Sequence, residues 1–209
     1  MLFRAAAAIA FTGVLMTATA HANPEIGKPA PAFTAVDSNG KTHNLSDFRG
    51  KTVVLEWTNH ECPYVVKHYS TNNMQGLQKA AASDGVVWLS VISSAKGEQG
   101  HVSGEKANEL TKERNAAPTA VLIDEAGTIG RAYEARTTPH MFVINAEGTL
   151  AYMGGIDDRP TANKADVEGA TNYVKLALDS IKEGKPVEQA VTRPYGCSIK
   201  YSTKSAAIQ

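Results

Sequence analysis

The sequence predicts an α/β fold, a central mixed sheet flanked by helices, from three observations. The β-rich run Lys51–Trp57 is followed by apolar residues at helical spacing over Tyr64–Ala82, which is the pattern of a strand and then a helix. Val86–Ser93 is almost entirely apolar, which is typical of a strand buried on both faces of a parallel sheet. Because strand, helix and strand follow in that order, we expect an α/β sandwich with a right-handed crossover.

The N-terminal part of the chain predicts a small hairpin ahead of this core. Ala32–Val36 and Lys41–Asn44 are short strand-like runs on either side of a Ser-Asn-Gly turn. Ser46–Gly50 predicts a helical turn that ends at its glycine.

The second half of the chain adds further strands and helices. The predicted elements are a polar helix over Gly104–Arg114, a strand over Ala120–Ile123, a short helix or turn over Gly127–Tyr133, a hairpin of Met141–Asn145 and Thr149–Met153, and a last helix over Asp166–Lys182. Gly184 and Pro186 mark the end of that helix, because neither residue continues a helix well. We expect Asp157–Arg159 to form a solvated loop.

Composition and charge exclude several classes of protein. A hydrophobic fraction of 43% is ordinary for a folded chain, and two cysteines cannot make a disulfide-dense mini-protein. Lys and Arg total 21, as do Asp and Glu, so there is no basic excess to bind nucleic acid. We expect one folded domain over residues 23–190 and a tail, residues 191–209, that carries Cys197.

The first 22 residues predict an export signal. Arg4 precedes the largely apolar run Ala5–Leu15, and Ala20–Ala22 fits the small-residue rule for a cleavage site. The run is shorter than the ~20 apolar residues that a membrane-spanning helix needs. We expect cleavage after Ala22, a periplasmic or secreted protein, and no membrane span after cleavage; an uncut membrane anchor is the alternative. In an oxidising compartment the two cysteines can pair.

Cys62 is the strongest candidate for chemistry. It lies between a predicted buried strand and a predicted helix, and Pro63 suits the first helical position. Cys62 is then the N-cap, where free backbone N–H groups and the helix dipole stabilise a thiolate and lower a pKa of ~8.5 to ~3.5–7.5. We expect this sulfur to be an anion close to water, the nucleophile that thiol–disulfide exchange and peroxide reduction require. A protonated His60 would strengthen the shift, as would Lys67, whereas Glu61 would oppose it.

Other interpretations of Cys62 stay open on the sequence alone. A structural disulfide to Cys197 would close a loop of roughly 136 residues, which a chain-entropy argument credits with ~5 kcal/mol at most. His60, Cys62, His140 and Cys197 would together form a two-nitrogen, two-sulfur metal site, although their spacing is unlike that of zinc fingers. Trp57 and His60 precede Cys62 closely and are candidates for substrate contact, while Trp57 also suits the core.

Several segments make the sequence similar to a known superfamily. They are IGKPAPAFTAVDSNGKTHNLSDFRGKTVVLEW, CPYVVKHY at the strand-to-helix turn, VLIDEAGTIGRAY, TTPHMFVINAEG and the tail segment GCSIKY. They resemble the thioredoxin-like redoxin superfamily, in its alkyl hydroperoxide reductase/thiol-specific antioxidant branch and near the exported thiol–disulfide oxidoreductases. The resemblance covers nearly all of residues 23–209 and implies a thioredoxin fold with an N-terminal β-hairpin extension. We expect no cofactor.

The resemblance also implies roles for individual residues. Cys62 is the expected nucleophile, and Thr138-Pro139 is expected to lie against it, with Pro139 cis and in contact with the substrate backbone. Cys197 either resolves the oxidised form of Cys62 or only staples the tail. Val65 stands where a C-x-x-C motif would have its second cysteine, so Cys197 is the candidate to complete a redox cycle.

These observations predict a thiol-dependent oxidoreductase that acts on protein disulfides or hydroperoxides, with an electron donor that the sequence does not identify. The peroxiredoxin motif P-x-x-x-T-x-x-C is incomplete, because Leu55 and Asn59 stand at its proline and threonine positions. Arg136, near Pro139, is the candidate for the arginine that polarises a peroxide. The alternative is a redox-inactive or metal-delivery binding module of the same fold with a structural Cys62–Cys197 disulfide.

Overall fold

The fold is described over residues 23–203 of a computed structural model; the predicted export signal, residues 1–22, lies outside the described residues. In chain order the strands are β1 (Thr34–Val36), β2 (Thr42–Asn44), β3 (Val53–Trp57), β4 (Val87–Ile92), β5 (Ala120–Ile123), β6 (Thr137–Thr138), β7 (His140–Ile144), β8 (Leu150–Gly154) and β9 (Cys197–Ser198). The helices are α1 (Pro63–Ser70), α2 (Asn73–Ser83), α3 (Gly104–Glu113), α4 (Thr128–Ala132) and α5 (Tyr173–Lys182), with 3₁₀ turns over Leu45–Phe48 and Lys164–Val167. Within this part of the chain, no helix has the length and apolar character needed to cross a bilayer.

A five-stranded mixed sheet in the order β5-β4-β3-β7-β8 forms the centre of the described chain. β3 is parallel to β4 and β4 to β5, whereas β7 is antiparallel to both of its neighbours, β3 and β8. Every residue of β3, β4 and β7 is buried, because these strands are flanked on both sides and covered on both faces. The predicted α/β fold is therefore confirmed. The prediction that the apolar run Val86–Ser93 forms a buried parallel strand is confirmed by β4.

Side chains alternate between the two faces of this sheet, as the two-residue period of a strand requires. Leu55 and Trp57 of β3 pack in one half of the core, together with Phe33 and with residues of α4. Val54 packs in the other half, against α1, α2 and α5. Cys62 belongs to this second half, so Cys62 and Trp57 contribute to different halves of the core.

The predicted helix over Tyr64–Ala82 is two helices in the structure. α1 ends at Ser70 and α2 begins at Asn73. Between them Asn72 has a φ of 60°, in the left-handed region, which a continuous right-handed helix cannot contain. Asparagine tolerates this conformation better than most residues. The prediction of one helix is wrong because the helical spacing of apolar residues continues across this turn, whereas the helical backbone stops there.

The last helix is shorter than predicted. The pattern over Asp166–Lys182 indicates one helix, whereas α5 starts only at Tyr173. The stretch before it forms a 3₁₀ turn and then bends at Gly169, where φ is 75°. The side chain of Asn172 accepts a 2.9 Å hydrogen bond from the backbone N–H of Lys175 and so caps the actual start of the helix.

The N-terminal hairpin and the C-terminal tail lie outside the central sheet. β1 and β2 pair antiparallel, as predicted. The tail pairs through β9 with β6, so that Cys197 lies opposite Thr138. Just beyond, the backbone N–H of Ile199 donates a 3.0 Å hydrogen bond to the carbonyl oxygen of Arg136. The tail is therefore bound along the segment that leads into β7.

Candidate active site

Cys62 lies at the start of α1, directly after the loop that leaves β3. It is the N-cap residue, with φ −75° and ψ 122°, and Pro63 is the first helical residue, as predicted. Two hydrogen bonds tighten the loop: the Cys62 N–H donates to the Asn59 carbonyl oxygen at 3.1 Å, and the Glu61 N–H donates to Oδ1 of Asn59 at 2.9 Å. The sulfur is therefore attached at a helix N-terminus, where negative charge is stabilised.

Cys62 and Cys197 form a disulfide bond, with their Cα atoms 5.9 Å apart. The pairing of β6 with β9 brings them together, because it places Cys197 opposite Thr138. Gly196 permits this approach: its φ is 137°, and a Cβ atom at this position would collide with the Thr138 carbonyl oxygen. Two cysteines separated by 135 positions in the sequence are thus neighbours in the fold.

Thr138 and Pro139 lie against the disulfide. The peptide bond between them is cis, and the Thr138 carbonyl oxygen lies 3.1 Å from Sγ of Cys62. A disulfide sulfur has no hydrogen to donate, so this is a close contact in the oxidised form; a reduced thiol here can donate a hydrogen bond to the same oxygen. Oγ1 of Thr138 is buried and has no hydrogen-bond partner among the described residues.

The sulfur of Cys62 is not close to water in this oxidised structure. Cys62 is fully buried, and its side chain makes no capping hydrogen bond with the amides of α1. The expectation of a water-exposed, amide-bound sulfur is wrong for this state. The physical reason is the disulfide, which directs Sγ of Cys62 to Cys197 and brings the tail against it.

Trp57 and Cys62 lie in different halves of the core. Its side chain is fully buried, and its indole N–H donates a 3.0 Å hydrogen bond to Oγ of Ser93. Its ring lies 5.6 Å from that of Tyr133 and 5.1 Å from that of Phe142, centroid to centroid. Trp57 is therefore a core residue and not the substrate contact that we expected, because at its position on β3 it faces the half of the core away from Cys62.

His60 is half-buried and lines a small cleft with Tyr69 and Arg114. Burial lowers the pKa of His60; the nearby Glu61 carboxylate raises it, and the Arg114 charge lowers it further. The net direction favours neutral imidazole, so His60 is a weaker source of positive charge for Cys62 than the sequence suggests. Its position beside the Cys62 loop keeps it a candidate for substrate contact.

Arg136 is exposed, with 74% of its side chain accessible, and lies 3.6 Å from a carboxylate oxygen of Glu134. No described hydrogen bond or ion pair directs its guanidinium toward Cys62. The structure therefore places Arg136 as a surface group beside the tail.

The suggested metal ligands do not form a metal site. The sulfurs of Cys62 and Cys197 are bonded to each other, and residues 23–203 contain no group of three or more His, Cys, Asp or Glu able to hold an ion. His140 is buried, and its Nδ1 accepts a 3.2 Å hydrogen bond from the Arg136 N–H.

The family match follows from the same segments that build the fold. A family model described as the AhpC/TSA family matches residues 26–153, which is more than half of the chain and includes Cys62, Thr138 and Pro139. The chain belongs to the AhpC/TSA family. Its sheet order and helix placement are those of the thioredoxin-like redoxins, as the resemblance implied.

Sequence and structure comparisons agree with this family. The thiol-disulfide oxidoreductase ResA of Geobacillus kaustophilus is 27% identical over 157 residues, covering 72% of this chain and 78% of that protein. An uncharacterized conserved protein of Geobacillus kaustophilus has a solved structure with a TM-score of 0.75 and 26% identity, covering 87% of this chain and 94% of that one. The solved structure of the exposed lipoprotein thioredoxin Etrx1 of Streptococcus pneumoniae has a TM-score of 0.50 and 26% identity, covering 73% of this chain and 98% of that one. These similarities support a thiol-dependent redox role for this AhpC/TSA family member.

The sequence analysis did not predict a buried polar cluster that lies beside the disulfide. Tyr195 Oη donates a short hydrogen bond to Asp157 and lies 3.3 Å from Nε2 of His68. Nζ of Lys67 lies 3.8 Å from Oδ2 of Asp157. The prediction that the 157–159 segment is wholly solvated is wrong for Asp157, which is only 3% exposed, because α1 and the tail cover it.

Electrostatics in this cluster follow from burial. Burial, with a smaller effect of the Lys67 charge, lowers the pKa of His68 to about 3, so its imidazole is neutral near pH 7. Burial and the hydrogen bond to Asp157 raise the pKa of Tyr195, which therefore keeps its proton. Lys67 points into this cluster and donates to the Arg159 carbonyl oxygen at 2.8 Å.

Glu56 is a second buried group that the sequence analysis missed. Its carboxylate accepts hydrogen bonds from the side chains of Tyr69 at 2.8 Å, Trp88 at 2.8 Å and Ser90 at 3.0 Å. Burial raises the pKa of Glu56, although these hydrogen bonds oppose the shift. An acidic residue inside an otherwise apolar strand run was the available signal for a buried, partnered carboxyl.

Proposed function

We propose that this protein is an exported thiol–disulfide oxidoreductase in which Cys62 and Cys197 alternate between a dithiol and a disulfide. The observation that carries the proposal is the bond between an N-cap cysteine and a second cysteine held opposite Thr138. A purely structural bond has no need of a helix N-terminus, whereas a reactive thiolate is stabilised by one. The similar protein ResA, named a thiol-disulfide oxidoreductase, supports the same activity.

In the reduced form, the Cys62 thiolate attacks one sulfur of a substrate disulfide. A mixed disulfide forms, and the other substrate sulfur leaves as a thiolate that takes up a proton. Deprotonated Cys197 then attacks Sγ of Cys62, closes the Cys62–Cys197 bond and releases the second substrate thiol. The substrate gains two electrons and two protons, which an external dithiol returns to the protein in the next cycle. Each step is reversible, so the reduction potentials of the partners set the direction.

Thr138 and Pro139 form the surface on which we place the substrate backbone. In the oxidised form β9 pairs with β6, so the tail fills the strand edge beside the sulfur. Once Cys62 is reduced, β9 can separate from β6 while the tail stays held before Gly196, and an extended substrate segment that carries a disulfide can pair with β6 through backbone hydrogen bonds of the same kind. His60, half-buried in the preceding loop, is the second group that we assign to substrate contact.

Hydroperoxide reduction is the competing activity. Attack of Cys62 on a peroxide would give a sulfenic acid and an alcohol or water, and Cys197 would condense with that sulfenic acid to form the disulfide and water. The peroxiredoxin motif residues are missing: Leu55 packs in the core, and Asn59 serves to tighten the Cys62 loop. We therefore favour disulfide exchange.

Insulin reduction and peroxide consumption separate these activities. With a dithiol as electron donor, we expect the protein to accelerate insulin reduction, Cys62→Ser to abolish the effect, and hydrogen peroxide loss to stay at the buffer rate. Cys197→Ser is the matched control, because it keeps the nucleophile; mixed with oxidised insulin before any dithiol is added, it should hold a mixed disulfide on Cys62, since no second thiol of the protein can displace the substrate. Fast loss of hydrogen peroxide with a sulfenate on Cys62 would contradict disulfide exchange and indicate a peroxidase. A wild-type Cys62–Cys197 bond that mild dithiols do not reduce would indicate a structural disulfide.

The exported location is part of the same proposal. The predicted signal and the Cys62–Cys197 disulfide both suit an oxidising compartment, and the similar pneumococcal protein is described as an exposed lipoprotein. N-terminal sequencing of the protein recovered from a periplasmic fraction tests it. We expect Asn23 as the first residue; a chain that stays in the cytoplasm with Met1 intact would contradict export.

A further inference from the structure

Tyr195, two residues before Cys197, anchors the tail in the buried polar cluster. Its ring is buried, and its hydroxyl donates to Asp157 and lies 3.3 Å from Nε2 of His68. Gly196, the only residue between this anchor and Cys197, is packed against the Thr138 carbonyl group. The backbone therefore has little slack between the anchor and the reactive sulfur.

Three residues of α1 form one side of the anchor. Tyr64, Lys67 and His68 share a helix face, because they are three and four positions apart. The rings of Tyr64 and Tyr195 meet edge to face with centroids 5.9 Å apart, and Nζ of Lys67 lies 5.6 Å from the Tyr195 ring centroid. Since Cys62 caps the same helix, these contacts tie the tail to the element that holds the nucleophile.

Asp157, in the segment after β8, forms the other side. Its Oδ2 lies 3.8 Å from Nζ of Lys67, and the two residues are 3% and 0% exposed. Burying such a pair costs desolvation free energy that apolar packing of the same volume would not. A gain in stability therefore does not explain this cluster. Directional hydrogen bonds explain it better, because they hold Tyr195 in a single position.

We propose that Tyr195 is a positioning residue, held by Asp157 and His68, that keeps Cys197 within reach of Cys62 after their disulfide has opened and substrate has taken the place of β9. The inference rests on the proposed function and adds no chemical step to the exchange described there. A tail held at Tyr195 gives Cys197 a high effective concentration at Sγ of Cys62, because the second thiol does not diffuse away. Cys197 then displaces a bound substrate quickly, and the Cys62–Cys197 bond becomes harder to reduce.

Tyr195→Phe tests this role, and Tyr133→Phe is its matched control. Each substitution removes one buried hydroxyl, but that of Tyr133 donates to the Pro31 carbonyl oxygen at 2.7 Å in the other half of the core. In equilibrium with glutathione, we expect Tyr195→Phe to lower the effective concentration of the cysteine pair about tenfold, equivalent to a potential ~30 mV higher. Tyr133→Phe should reduce the melting temperature without moving the potential.

The outcomes separate this inference from the proposed function. A folded Tyr195→Phe protein with the wild-type potential overturns the positioning role and leaves exchange intact. A wild-type bond that does not equilibrate with glutathione overturns the proposed function, and the positioning role with it. If Tyr195→Phe does not fold, Asp157→Asn and Asp157→Ala are measured instead. The side chain of Asp157→Asn keeps an oxygen that accepts a hydrogen bond from Tyr195, so the reduction potential of this variant should lie between those of the wild type and Asp157→Ala. Equal potentials in the wild type and both variants overturn the positioning role.

Discussion

The carbonyl oxygen of Thr138 lies 3.1 Å from Sγ of Cys62, although the two residues are 76 positions apart. The register of the sheet explains this contact. Trp57, at the end of β3, pairs with His140, at the start of β7, so the loop after β3 and the turn before β7 meet at one end of the sheet. The tail pairs with the same turn, and the nucleophile, the Thr138 backbone and the second cysteine therefore converge at one point.

Gly196→Ala tests the close approach of the tail. The added methyl group would collide with the Thr138 carbonyl group on a backbone with φ 137°, and strain of this kind costs on the order of 1–3 kcal/mol. We expect a loss of that size in the free energy of unfolding by urea, and a Cys62–Cys197 bond that glutathione reduces more easily.

The control for this substitution is Gly76→Ala. Gly76 lies within α2, and a Cβ atom added there would meet open space, so alanine should add roughly 0.5–1 kcal/mol of stability. The same stability and potential in Gly196→Ala as in the wild type would contradict the packing of the tail on Thr138.

His68 and His140 should make the protein sensitive to acid. Burial is the main cause that lowers the pKa of each to about 3, whereas an unfolded histidine titrates near 6.5. The stability that each contributes is therefore complete above pH ~6.5 and is lost as the pH falls toward the folded pKa. Near pH 4.5 we expect a loss on the order of 2–3 kcal/mol per histidine.

Urea unfolding at about pH 7.5 and about pH 4.5 measures this effect. His140→Gln and His68→Gln each remove one titrating ring, so the free energy of unfolding of each variant should fall less on acidification than that of the wild type. An equal fall in all three proteins would show that neither imidazole is held neutral by the fold.

Glu56 should have the opposite pH dependence. Burial raises its pKa above the usual 4.5, so its contribution to stability is present below that value and is lost as the pH rises through the folded pKa. In Glu56→Gln this titration is absent, and the Tyr69 hydroxyl can accept from the new amide. We expect the free energy of unfolding of Glu56→Gln to fall less than that of the wild type between about pH 5 and about pH 8; a parallel decline would contradict a raised pKa for Glu56.

The local parts of the site could be predicted because each depends on adjacent residues. An apolar run followed by cysteine and proline indicates a strand and then a helix capped at Cys62, and the structure has this arrangement. The parallel pair β3–β4 and the hairpin β7–β8 follow from equally local apolar patterns. The helix break at Asn72 was not predictable in the same way, because the apolar spacing hides one residue of left-handed backbone.

The long-range contacts could not be predicted from one sequence. Lys67, Asp157 and Tyr195 meet only because α1, the segment after β8 and the tail pack together. Asp157 looked solvated because charged residues in polar loops usually are. Trp57 was placed near the substrate by its closeness to Cys62 in the sequence, but the register of β3 decides which face a side chain takes, and a shift of one residue reverses it.

A pH titration of thiolate absorbance tests most directly whether the N-terminus of α1 stabilises reduced Cys62 as an anion. The chain has two cysteines, so Cys197→Ser reports Cys62 alone, and Cys62→Ser reports Cys197 alone. We predict that Cys62 titrates within ~3.5–7.5, while Cys197 titrates near the ordinary ~8.5. A midpoint for Cys62 at or above ~8.5 would contradict the account.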